Sequence, residues 1–258
     1  DTTLTVNGAP VLVARGGPDG FGAAPFDAGD VVDYLRQGRL PVAARVTDPR
    51  GFASAAVAYR LKLAPGDTRE VLVGIPLHGA ASPVGLGYYN AACEAWELER
   101  QATNRWEDEL GRFTLRLPAA MHGEEIANTL RSQLAYILIN RDGPSIQPGS
   151  RSYDRSWIRD GSLTSAALLR LGHADEVRAF AEWYAPHQRA SGYVPCCVSL
   201  RGADPVPEHD SHGQLIYLIA EYHRLTGDRA FLERMWPHVE RAVAFIDTLR
   251  HERMTPEY

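Results

Sequence analysis

The chain has 258 residues, 45% of them apolar and 23% charged, and a formal net charge of −5. That length holds one large domain or two ordinary ones and is enough to bury a core. The acidic balance and the lack of any basic run argue against nucleic acid or an anionic membrane as partner, and no apolar run reaches the ~18 residues of a membrane span, so a neutral or small polar ligand fits better.

Lys62 is the only lysine, so nearly every cation is an arginine. Cys93 and the adjacent Cys196 and Cys197 form no disulfide framework, because neighbouring cysteines bridge only with strain. Cys196 and Cys197 read better as small buried apolar residues than as metal ligands. The first residues, Asp1-Thr-Thr-Leu-Thr-Val, lack both an initiating Met and the charged and apolar regions of a signal peptide. The chain therefore reads as a piece of something longer, with its compartment and oligomeric state not legible.

From Thr2 to about Gly79, short β-type runs alternate with turns: Leu4 to Val6, Val11 to Ala14, Pro41 to Val46, Ala56 to Leu63 and Val71 to Leu77. The clearest is Tyr59 to Ile75, which alternates apolar and polar residues on both sides of Pro65-Gly66-Asp67. Proline there fixes the first turn dihedral and glycine supplies the positive one, which predicts a hairpin. A loop from Gly79 to Gly87 leads into Tyr88–Leu110, a glutamate-rich helical stretch too charged to sit in a core and suited to linking two domains. Phe113 to Leu117 is a brief β-like run, and Pro118 marks a boundary.

Beyond Pro118 the pattern is helical. Glu124–Asn140 carries Ile126, Leu130, Leu134, Ile137 and Leu138 as one stripe. Ser162–Leu171, Asp175–Tyr184, Ser211–Leu225 and Arg229–Leu249 follow, with Asp228 as a natural N-cap of the last. The joints alternate. Leu171-Gly172-His173-Ala174 and Thr226-Gly227-Asp228 are tight turns, whereas Asn140 to Asp160 and His187 to Asp210 are loops of about twenty residues, uncommon in a compact domain unless they carry function. Both long loops end in an acid heading a helix. If the helix pairs stand in a ring, both loops open onto one mouth.

The first long loop ends in Tyr153-Asp154-Arg155-Ser156-Trp157-Ile158-Arg159-Asp160-Gly161. A carboxylate beside a planar guanidinium grips vicinal hydroxyls, one accepting and the other donating, while an indole face covers the apolar face of a sugar ring. Trp157, Arg159 and Asp160 supply that set, with Tyr153 and Arg155 beside them. The structural alternative makes Asp160 the helix N-cap, Trp157 a core residue and Arg155 a surface partner of Asp154. The second long loop ends in Glu208-His209-Asp210-Ser211-His212. Glycoside cleavage needs one protonated carboxyl to donate to the leaving oxygen and a second to activate water or attack, and crowding two acids raises one pKa. Glu208 and Asp210 are the candidates, with His209 and His212 as substrate-binding neighbours. The alternative makes Asp210 a cap and Glu208 a solvated acid. Zinc held by Glu208, His209 and His212 lacks a further ligand at diagnostic spacing, so no metal or other cofactor is expected.

The block from about Glu124 to Arg250 resembles the opening hairpins of the six-hairpin glycosidases, the (α/α)6-barrel enzymes that include glucoamylases and glycogen-debranching glucosidases. Trp157-Ile158-Arg159-Asp160-Gly161 is similar to the aromatic-x-Arg-Asp element that grips the nonreducing-end sugar in that family. Glu208 to Gln214, followed by Glu221-Tyr222-His223-Arg224, lies where the family keeps its general acid. The β-rich segment and linking helix match the family order too. The Pro207-Glu208-His209-Asp210 run departs from the Trp-Glu-Glu of glucoamylases, which leaves the donor open between Glu208 and Asp210.

The resemblance implies an α+β chain of two domains. An antiparallel β-sandwich over residues 1–87 and a linker helix and connection over 88–118 would be followed by an incomplete (α/α)6 barrel over 119–258, with the catalytic base beyond Tyr258. It also implies an exo-acting, inverting glycoside hydrolase for α-linked glucose-type saccharides. The alternatives are a disaccharide phosphorylase on the same fold and a non-catalytic carbohydrate-binding or scaffold protein.

Overall fold

The first strands follow the sequence pattern closely. In this computed structural model, which describes residues 2–75, 91–199 and 201–254 (side chains of 91–95 and 253 excepted), β1 (Thr2–Val6) and β2 (Ala9–Ala14) form an antiparallel hairpin. Asn7 (φ 51°) and Gly8 (φ 82°) supply the two positive dihedrals of its two-residue turn. A short β5 (Val73–Gly74) adds to the free edge of β2. A second sheet pairs β3 (Gly20–Ala24) with β4 (Ser54–Ala58). Between them lies α1 (Val31–Arg36), capped by the Asp30 carboxylate accepting from Val32 N–H at 2.9 Å. Sequence periodicity shows neither β3 nor α1, since Gly20-Phe-Gly-Ala-Ala is poor in β-branched residues.

Three expectations for this region need correction. The Pro65-Gly66 turn forms, with Asp67 N–H donating to Ala64 C=O at 3.0 Å and Gly66 at φ 89°. Its two arms do not pair with each other. They run to different sheets, β4 to β3 and β5 to β2, so the predicted ladder has no partner strand. Pro41 to Val46 contributes only an isolated bridge between Ala43 and Ala23, because Pro41 brings no N–H to a ladder. Residues 113–117 form no strand. The end of the Val71–Leu77 run, the Gly79–Gly87 loop, the start of the Tyr88 helix and the Cys93 side chain lie outside the described residues.

The chain falls into two units, Asp1–Asn104 and Arg105–Tyr258, with the division inside helix α2 (Ala91–Gly111). The second unit is helical: α3 (Gly123–Ile139), α4 (Ile158–Arg170), α5 (Ala174–Tyr184), α6 (Ser211–Thr226) and α7 (Arg229–Arg253). Its core gathers Leu134 from α3, Leu168 from α4, Val177, Phe180 and Tyr184 from α5, Leu215 and Ile219 from α6, and Phe231 from α7. Each is buried at the positions a 3.6-residue period places on one face. Some apolar residues of the predicted stripes point outward instead: Ile126, Leu163 and Val243 are exposed. The buried line of α3 runs through Ala127 and Leu134.

α4 and α6 lie side by side and run parallel. At their N-terminal ends Ser162 Oγ donates to Gln214 Oε1 at 2.5 Å, and toward their C-terminal ends Arg170 donates to Glu221 at 2.8 Å. Arg224 adds two bonds to Glu221, and the two guanidiniums hold that carboxyl down at a pKa of about 2. α5 and α7 run back against them because Gly172 (φ 88°) reverses the chain after α4 and Gly227 (φ 69°) reverses it after α6. Asp228 caps α7 as the sequence predicts, accepting from Phe231 N–H at 2.9 Å. Asp228→Ala is expected to lower stability by about 1 kcal/mol, read as a lower urea midpoint at unchanged slope, and Asn in its place to restore most of it.

Within the described residues no helix is long and apolar enough to cross a membrane.

Candidate functional site

The two long loops are zipped together by a sheet too short to see in the sequence. β6 (Ser156–Trp157), at the end of the first loop, pairs antiparallel with β7 (Cys197–Ser199) in the second, and β8 (Gly202–Ala203) completes it. The register sets Ser156 opposite Val198 and Trp157 opposite Cys197. Ile158 N–H extends the ladder to Cys196 C=O at 3.0 Å. Beneath it, Ser156 Oγ donates to Ile146 C=O at 2.6 Å and lies 2.7 Å from Ser145 Oγ, so the buried hydroxyls of the first loop are satisfied. Cys196 and Cys197 are buried here, with their sulfurs 3.4 Å apart. Burial and the neighbouring thiol push the Cys196 pKa up to about 12, so it stays a neutral thiol.

This pairing brings the N-terminal ends of α4 and α6 to one place, and there Arg159 meets both acids of the second loop. Its Nε and Nη2 donate to the two oxygens of Asp210, the latter at 3.0 Å, and Nη2 also donates to Glu208 Oε2 at 2.6 Å. Two helix N-termini add partial positive charge that favours the same carboxylates. The hydrogen bonds and charge of Arg159 hold the Asp210 carboxyl below its ordinary range, against a smaller opposing effect of burial. The guanidinium pKa is raised in return. Asp210 is thus favoured as an anion that accepts from Arg159. Glu208 is bound through one oxygen only.

The remaining candidates distribute around this centre. Asp160 is exposed in the first turn of α4 but is not its cap: the helix starts earlier, with extended Trp157 in the cap position. Asp210 does stand at the cap position of α6, yet its side chain makes no cap bond and goes to Arg159 instead. Tyr153 and Trp157 form a tilted ring pair, centroids 5.9 Å apart, with Tyr153 largely exposed and Trp157 half-buried. The Arg155 guanidinium lies 5.5 Å from the Trp157 ring centre and reaches Asp204 at 3.2 Å, not Asp154. His209 is exposed.

His212 is packed inside the second loop. Its ring is fully buried between Tyr193 and Phe245, and its Nδ1 accepts from Val194 N–H at 3.1 Å. An acceptor Nδ1 puts the proton on Nε2. Burial lowers its pKa, and the neutral ring serves as a strut of the second loop.

Sequence reasoning also missed residues that fix the geometry. Asp204 anchors Arg155, and Gly161 is open to the Phe180 ring, whose carbons would lie 2.3 and 2.5 Å from a Cβ at that position. The glycine ending the Trp-Ile-Arg-Asp-Gly run therefore lets α5 approach α4. Among the described residues, Glu109, His173 and Glu176 bring three ligand-type atoms within 4.8 Å of one another. Only the His173-x-x-Glu176 spacing at a helix start was a usable signal, since Glu109 is remote in sequence.

Against known proteins, the chain shows a distant sequence likeness to a glycosyl hydrolase. The relative is a protein of Methanocaldococcus jannaschii named as an uncharacterized glycosyl hydrolase, 26% identical over 159 residues, which cover 58% of this chain and 25% of that protein. The chain thus spans about a quarter of the length of the curated relative it matches. No family model and no solved structure matches the chain.

Proposed function

We propose that this chain is part of a glycoside hydrolase and that its second unit handles the sugar. The observation that carries the reading is Arg159 bonded at once to Glu208 and Asp210 beside the Tyr153–Trp157 ring pair. In this reading the Arg159–Asp210 pair and Asp160 bind vicinal hydroxyls of the terminal sugar, and Trp157 faces its apolar side. Glu208, held by a single oxygen, donates the proton to the leaving glycosidic oxygen. The likeness to the Methanocaldococcus protein, named as a glycosyl hydrolase, supports the reaction class. The parallel α4 and α6, each followed by a returning helix, support an (α/α)6 arrangement, and a β-sandwich in the first unit rests on the six-hairpin resemblance. Exo action, inversion and α-linked glucose-type substrates rest on the six-hairpin resemblance.

The test is hydrolysis of end-labelled maltooligosaccharides by the full-length protein and by its Glu208→Gln variant. Loss of a general acid lowers turnover by ~10²- to 10⁴-fold, and sugar binding should survive the change. Unchanged turnover in Glu208→Gln with loss in Asp210→Asn would transfer the donor role to Asp210. One observation favours a second reading, a site that binds sugar without cutting it: both acids are engaged by a single arginine. Calorimetric binding with no released product on long incubation would select it.

A further inference from the structure

A second cluster lies at the far end of α4, roughly 20 Å along the helix axis from Arg159. His173 follows Gly172 in the turn into α5, and its ring is fully buried. Its Nε2 lies 3.1 Å from the backbone carbonyl of Glu109. A carbonyl can only accept, so Nε2 carries the proton and a neutral ring presents Nδ1 as a bare lone pair. That Nδ1 has no hydrogen-bond partner and faces Glu176 Oε2 at 3.5 Å and Glu109 Oε2 at 3.6 Å. Glu109 Oε2 is buried and has no hydrogen bond of good geometry, although Arg112 Nη2 lies 2.8 Å away.

A nitrogen lone pair pointed at two anionic oxygens is repulsive unless something positive lies between them. We propose that Glu109, His173 and Glu176 form a binding site for a divalent transition-metal ion of the zinc type. The spacing fits. Bonds of ~2.0–2.1 Å at tetrahedral angles set neighbouring ligand atoms ~3.3–3.4 Å apart, within a few tenths of an ångström of the two separations here. The donor set also fits: imidazole with carboxylates suits zinc, whereas calcium and magnesium take oxygen ligands alone. The Nε2–H bond to the Glu109 carbonyl is the outer contact that orients a metal-binding histidine.

Arg112 is the most exposed of the four side chains, and it pairs with both carboxylates, reaching Glu176 at 3.4 Å. It remains as an outer partner of the ligating oxygens, and its positive charge weakens the hold on a cation. The simplest competing arrangement is a proton on Nδ1, giving an imidazolium paired with both glutamates and no metal.

The experiment is calorimetric titration of the metal-free chain with zinc chloride, alongside thermal melting with and without zinc. The expected result is one binding site and a higher melting temperature with zinc, with affinity lowered at least ~10-fold in Glu109→Gln and in Glu176→Gln. These glutamine variants keep the side-chain volume, so their folding is checked by circular dichroism and the test does not depend on a His173 variant. Zinc also has exposed histidine–carboxylate pairs to bind, at His122 with Glu125 and at His251 with Asp247. Binding that persists unaltered in the folded Glu109→Gln/Glu176→Gln double variant overturns the proposal, and so does absence of binding to the folded wild-type chain.

Discussion

Arg159→Ala is expected to weaken sugar binding by ~10- to 100-fold, as loss of hydrogen bonds from a charged donor does. Calorimetric titration with maltose, compared between wild type and variant, is the measurement. In the native arrangement one guanidinium fixes both acids of the second loop, so its removal takes away a donor and leaves Glu208 and Asp210 facing each other uncompensated. Lysine in its place restores charge but not the fork that meets two carboxylates, and should recover little. Unaltered affinity in a folded Arg159→Ala variant would remove this centre from the sugar site.

The same variant has a pH signature whose sign follows from Asp210. Its folded-state pKa is depressed, chiefly by the Arg159 hydrogen bonds, so the pairing contributes stability above the unfolded pKa and loses it as pH falls through the folded one. The stability gap between wild type and Arg159→Ala should therefore be full near neutrality and shrink below about pH 4. Melting curves from pH 3 to pH 7 read it. Because the Asp210 side chain is 38% exposed, solvent screening keeps the gap small.

Gly192→Ala is expected to be the most damaging single-methyl change in the second loop, lowering stability by about 2–5 kcal/mol. Gly192 sits at φ 92°, and a Cβ there would lie 2.1 Å from the Arg241 carbonyl oxygen and 3.0 Å from Phe245 Cβ. Backbone cannot yield as a flexible side chain does, so the loop would have to leave α7. His212 and Tyr193 depend on that seat, as both rings pack on Phe245. Urea denaturation, with near-ultraviolet circular dichroism following the buried rings, checks it, and a loss under about 0.5 kcal/mol would show that the loop moves freely.

The helices of the second unit were legible because their signals are local. Apolar spacing, the Gly172 and Gly227 stops and the Asp228 cap each depend on a few neighbouring residues. The site was legible in part: the Arg159 and Glu208–Asp210 segments stood out by composition, but which atoms meet was not written in either. Two-residue strands such as β6 and β8 fall below any period, and the start of α4 was misplaced because Trp157 is held extended by Cys197 across the sheet. His212 shows the opposite case. A histidine among acids looks chemical in sequence, and only tertiary packing reveals that its ring is buried and its nitrogen accepts from the backbone. In the first unit the Pro65-Gly66 turn was readable, but which sheet each arm would join depends on residues such as Gly20 to Ala24, whose own pattern is weak.

The union of β6 with β7 bears on the order of assembly during synthesis. Arg159 leaves the ribosome fifty-one residues before Asp210, so for that interval its guanidinium has neither of its acids, and Trp157 has no strand opposite it. The α4–α5 pair can close on local contacts meanwhile, but the Arg159 centre cannot form until the second loop has emerged and doubled back. If the proposed function holds, nascent chains halted before Asp210 should be helical and bind no sugar, with binding gained only as that later turn is completed.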